Sequence, residues 1–88
     1  MTALRTRDGV AVIEDGETVY AAVLPDGPIA VLQEIAAVIW DAARRVDRSA
    51  IAEEVAMATG TETAAVRPEV DAFVAELIER GLLETVPG

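Results

Sequence analysis

Apolar positions along this chain change their period once. Between Val10 and Leu24 they favour steps of two, and from Leu32 onward they recur in steps of three and four. Alternation predicts strands with one buried face, and the longer step predicts amphipathic helices. Val10 to Ile13 forms the first short β-favouring run, and Glu14-Asp15-Gly16-Glu17 follows it. An Asp-Gly pair between two such runs predicts a hairpin, because the turn needs positive φ. Thr18 to Leu24 makes the second strand, with Val19, Ala21 and Val23 on one face and Tyr20, Ala22 and Leu24 on the other. Pro25-Asp26-Gly27-Pro28 then turns the chain into a short third strand, Ile29 to Leu32. Two turns in succession predict a three-stranded antiparallel meander.

The helical period takes over at once. A first helix is predicted from about Gln33 to Arg45, with Leu32, Ile35, Ile39, Ala42 and Val46 along its buried stripe. Asp47 or Ser49 can cap a second helix that carries Ile51 and Val55 inward and stops at Gly60. Thr61 to Ala65 reads as a loop, and Pro68 marks the first turn of a third helix ending at Arg80. Val70, Phe73, Val74, Leu77 and Ile78 make the third helix's stripe, with Phe73 and Leu77 its deepest residues. Val86-Pro87-Gly88 is expected to be a frayed tail. The expected fold is a single α+β domain over residues 1–88, winged-helix-like, with a three-stranded antiparallel sheet followed by three helices.

Composition narrows the chemistry. The apolar fraction of 52% corresponds to 46 residues, of which 17 are alanine, so 29 larger side chains must build one modest core. Trp40 is expected to be its largest member. With no cysteine, histidine or lysine, the chain lacks a thiol nucleophile, an imidazole base and a Schiff-base amine. Ser49 has nothing basic to activate it and suits a helix cap; Asp47-Arg48-Ser49-Ala50 also departs from the Asp-Ser-Leu of acyl carriers. Neither a calcium loop, a phosphate cradle nor a metal-ligand spacing is present. An enzyme is not expected, and no cofactor is called for. Met1 to Gly9 has no apolar run and no stretch approaches the ~20 residues of a membrane span, so a cytoplasmic protein without membrane contact is expected.

The net charge is −9, and all seven basic residues are arginine. Such a chain is repelled by phosphate backbones. A winged helix-turn-helix DNA-binding regulator is the alternative that the order of elements allows. Its recognition helix would offer Arg67, Glu69, Asp71, Glu76, Glu79 and Arg80, two positive charges against four negative. The third strand suggests a different use. Ile29 to Leu32 carries no charge and no proline, so as a sheet edge it is unprotected against pairing with another chain. Either a guest peptide adds there, or the edge is covered by the protein's own N-terminal residues or is too short to matter.

Val10-Ala11-Val12-Ile13, then Gly27-Pro28-Ile29-Ala30-Val31-Leu32, then Ala36-Ala37-Val38-Ile39-Trp40, and finally the run from Val70 through Phe73-Val74 and Leu77 to Gly81-Leu82-Leu83 occur in an order and spacing that resembles the pyrroloquinoline quinone biosynthesis protein D (PqqD) family. The resemblance covers residues 10 to 83. It implies a recognition element for ribosomally synthesised, post-translationally modified peptides (RiPPs). Such a domain binds the leader segment of a precursor peptide without catalysis and presents it to a leader peptidase or modifying enzyme. The resemblance also implies the site: the leader adds to the third strand at Ile29, Ala30, Val31 and Leu32, faced by Arg67, Val70, Asp71, Val74 and Ile78 of the third helix. On this expectation Val74 and Ile78 are partly exposed in the free protein. A small stand-alone domain is most similar to the recognition subunit of lasso peptide biosynthesis, which partners a separate cysteine protease and an ATP-dependent cyclase. A chaperone of pyrroloquinoline quinone synthesis is the second choice.

Overall fold

Three strands form where the alternation puts them. The computed structural model describes residues 2–87, and runs β1 (Thr2–Thr6), β2 (Val10–Asp15), β3 (Thr18–Val23), β4 (Ile29–Leu32), α1 (Ile35–Arg45), α2 (Ile51–Thr59), α3 (Thr63–Glu79) and β5 (Leu83–Pro87). A single 3₁₀ turn, Arg48–Ala50, leads into α2. The expected meander is β2-β3-β4, antiparallel throughout, so the third strand of the sequence pattern is β4. Gly16 takes φ 62° in the hairpin turn, as the Asp-Gly pair requires. Register places Val12, Ala21 and Ala30 side by side, and Val19 beside Leu32. That face is the inner one, where Val19, Ala21 and Leu32 are buried.

The turn before β4 is tight. Leu24–Pro25 is a cis peptide, and the Gly27 N–H closes the turn on the Val23 carbonyl at 2.7 Å. A Cβ at Gly27 would collide with that same carbonyl oxygen, so only glycine fits there. β4 ends after four residues because Glu34, at φ 56°, swings the backbone directly into α1.

The helices start and stop by recognisable means. Asp47 accepts from the Ser49 N–H at 3.2 Å and the Ser49 hydroxyl at 2.8 Å, capping the 3₁₀ turn. Gly60 (φ 69°) ends α2 in the left-handed conformation. Two expectations need correction. α1 begins at Ile35, not Gln33. More substantially, α3 begins at Thr63, so Thr61–Ala65 is mostly helix and Pro68 lies inside it. Pro68 has no N–H to offer the Ala64 carbonyl one turn back. Burial of Val66, Val70, Val74 and Leu77 along the same helix outweighs that loss.

A second sheet was not anticipated. β1 pairs antiparallel with β5, Leu4 opposite Thr85 and Arg5 opposite Glu84. The Arg5–Glu84 ion pair across it is largely exposed and contributes at most ~1 kcal/mol. The pairing rests instead on Leu4 and Leu83, both buried. The expected frayed tail is therefore strand through Pro87; Gly88 lies outside the described residues. β1 is thereby taken up by β5 and does not cover β4.

Helices and inner sheet face close on one core. Trp40, fully buried, is its largest side chain and is joined there by Ile39, Ile51, Val55, Val70, Val74 and Leu77. The Arg44 guanidinium stands 5.9 Å from the Trp40 ring centroid, within cation–π range.

Candidate functional site

β4 is an edge strand: β3 is its neighbour on one side, and no described strand pairs with the other. Its side chains divide by parity. Leu32 is buried and Ala30 half-buried on the inner face, whereas Ile29 (68% exposed) and Val31 (53%) point outward. Val31 lies opposite Tyr20, which lies opposite Ile13 (65% exposed), so an apolar row crosses the outer face of the sheet. Neither charge nor proline blunts this edge.

Where β4 begins, a cleft of about 260 Å³ opens between the strand and the end of α3, lined by Val23, Pro28, Ile29, Ala30, Arg80 and Leu82. The helix end is shaped by a Schellman turn. Leu82 N–H donates to the Leu77 carbonyl and Gly81 N–H to the Ile78 carbonyl, both at 3.0 Å, with Gly81 at φ 79°. This turn brings Arg80 and Leu82 to β4. Arg80 makes no ion pair among the described residues, and the Arg7 guanidinium reaches within 3.4 Å of where a Gly81 side chain would begin. In a chain of net charge −9, the cleft has a cationic mouth.

The expected docking residues are only partly assembled. Ile29 and Ala30 line the cleft, and Val31 continues the exposed edge. Leu32 has its side chain in the core, at 3% exposed. On the helix, Arg67 and Asp71 are exposed and Ile78 is half-buried on one flank. Val70 (1% exposed) and Val74 (2%) are core, which corrects the expectation that Val74 is partly open. The helix turns its centre at Val66, Val70, Val74 and Leu77 inward and leaves Phe73 and Ile78 half-buried on either side, so Leu77 is deep as expected but Phe73 is not. Pattern alone could not choose which flank is covered, since that depends on the tilt of α3 against α1 and α2. Arg80 and Leu82, lining the cleft, were missed. The signal was the Arg80-Gly81-Leu82 sequence itself, which reads as a helix stop and so conceals where the stop delivers its neighbours.

The exposed side of α3 carries Arg67, Glu69, Asp71, Glu76 and Glu79, and Arg80 caps its end. Four carboxylates would meet phosphate if this helix entered a major groove. A mobility-shift titration with random and genomic duplex is expected to show no sequence-selective complex at physiological salt. A selective shift at micromolar protein would restore the regulator reading.

The family model for coenzyme PQQ synthesis protein D (PqqD) matches residues 12–83. The chain belongs to the PqqD family. No curated protein and no solved structure matches it. The match runs from the third residue of β2 to the first residue of β5. It therefore takes in the three-stranded sheet, all three helices and the cleft, and leaves out β1. PqqD proteins are a non-catalytic accessory family with a peptide-recognition role in RiPP biosynthesis. No helix among the described residues is long and apolar enough to cross a membrane.

Proposed function

We propose that this PqqD-family domain binds the leader of a ribosomally made precursor by adding it as a strand to β4. The observation that carries this reading is the unpaired, uncharged β4 edge beside an apolar cleft. Strand addition gives affinity through main-chain hydrogen bonds, and alternate guest side chains give selectivity. One set of guest side chains would extend the outer row beside Ile29 and Val31. The other set would enter the cleft over Ala30 and Leu82. A guest of six to eight residues spans ~20–26 Å at ~3.3 Å per residue, enough to continue from Arg80 past Ile78 toward Asp71. Arg67 lies farther along the same flank. Val70 and Val74 support this flank from beneath without touching the guest.

The partner is then a leader peptidase or modifying enzyme. Two pathways fit: lasso-type peptide processing, and pyrroloquinoline quinone synthesis, after which the matching family is named. A precursor, protease and cyclase encoded beside the chain would decide for the first, a radical S-adenosylmethionine enzyme for the second.

The test is titration of the neighbouring precursor's leader into isotope-labelled protein. Amide shifts are expected along Ile29–Leu32 and at Arg80–Leu82. Arg80→Glu should weaken the complex roughly threefold to tenfold if an acidic leader residue meets the cationic mouth, and less at high salt. Asp71→Ala should weaken a basic leader contact more modestly. Tight binding with no shift in β4 sinks the proposal.

A further inference from the structure

A larger groove lies at the opposite end of β3 from the docking cleft. It encloses about 440 Å³ between the β2–β3 turn, α1 and the C-terminal half of α2. Its floor is apolar: Val19, Ile35, Ala37, Val38 and Ala42 line it. Its rim is acidic, with Glu14, Glu17, Glu34, Asp41 and Glu54 against the single guanidinium of Arg45. Arg45 is already committed, at 2.9 Å to Asp41 and 3.4 Å to Glu54, so it ties α1 to α2 across the groove. Asp41, by its hydrogen bond and then its charge, and Glu54 more weakly, raise the Arg45 pKa, and it stays cationic. Arg44 comes only within 4.0 Å of Glu14. Glu17 and Glu34 make no ion pair among the described residues.

We infer that this groove is a second protein-binding surface, and that its occupant is a cationic segment of the processing enzyme anchored by one or two apolar side chains. Charge complementarity selects a basic partner, since the rim holds an excess of carboxylates over an apolar floor. The identity of the occupant rests on the proposed leader binding; the groove's preference for a basic segment does not. The two sites share no lining residue. Val19 and Val23 mark their positions on β3, four residues or ~13 Å apart along the strand. Cargo at β4 therefore leaves the groove open, as a protein that presents a peptide to an enzyme requires.

The probe is a helical peptide of lysine and leucine alone, titrated into isotope-labelled protein, with its glutamate and leucine counterpart as control. Amide shifts are expected at Gly16, Val19, Val38 and Ala58. Glu14→Lys with Glu17→Lys should weaken the complex at least roughly tenfold, about 1.4 kcal/mol. Glu69→Lys with Glu76→Lys on the exposed side of α3 changes net charge equally and should leave affinity within about twofold if the site, not total charge, decides. Equal losses from both pairs, or shifts confined to β4, overturn the groove. A leader titration on the Glu14, Glu17 pair separates the two proposals. Unchanged leader affinity leaves the enzyme as occupant, and lost leader affinity means the groove takes the leader and overturns that assignment.

Discussion

Val74→Glu unfolds this domain. The side chain is 2% exposed and sits in the cluster that joins α3 to α1 and α2. No cation is available there, because the described core contains no buried polar or charged residue. An unpaired carboxylate in such a place costs several kcal/mol, or it takes up a proton and still loses the valine's packing. A domain of this size has about 5–10 kcal/mol in total. Ile78→Glu is the matched control on the same helix. Ile78 is half-buried, so its carboxylate can reach water, and the variant is expected to stay folded at a cost of about 1–2 kcal/mol. On the proposed guest path past Ile78 it should lose leader affinity instead, because it places a charge beside the guest's apolar side chains. Circular dichroism melts of both variants, with leader titration of the one that folds, make the comparison. If Val74→Glu melts within a few degrees of the parent, the buried face of α3 is wrongly placed and Val74 lines an open groove.

Proline in β4 should weaken leader binding at one residue of an adjacent pair and damage the fold at the other. Strand N–H groups alternate between the β3 ladder and the free edge. Ala30 and Val31 are consecutive, paired with Ala21 and Tyr20 respectively. One of them must therefore donate inward and the other outward. Proline at the inward position removes a ladder bond and lowers the melting temperature. At the outward position it leaves the β3–β4 ladder whole but removes a donor a guest strand needs and crowds its approach. There the expected loss in leader affinity is roughly tenfold or more, the worth of one or two buried hydrogen bonds. Strand addition would be excluded if both proline variants fold and both bind leader like the parent.

Much of this architecture was legible because it follows from local rules. The Asp15-Gly16 turn, the face shared by Val19 and Ala21, and the stop at Gly60 each depend on a few neighbouring residues. Pro68 misled for the same reason, since its local meaning is a helix start. Burial of Val66 on the turn before it carries the helix back to Thr63. The β1–β5 sheet escaped notice because its partners lie at opposite ends of the chain. Thr2–Thr6 has a single large apolar residue, Leu4, from which to read a strand.

The candidate site divides along the same line. That Ile29 to Leu32 is a short uncharged strand, and that α3 has one apolar stripe with charged flanks, are properties of residue type and spacing, which the sequence determined alone. That β4 is left at an edge, that Val74 is core while Ile78 is half-open, and that Arg80 and Leu82 stand beside Ile29 were decided only in the tertiary structure. Period fixes which residues share a face. Which part of that face is covered depends on the packing angle of one element against another, and the contacts that set it join residues far apart in the chain.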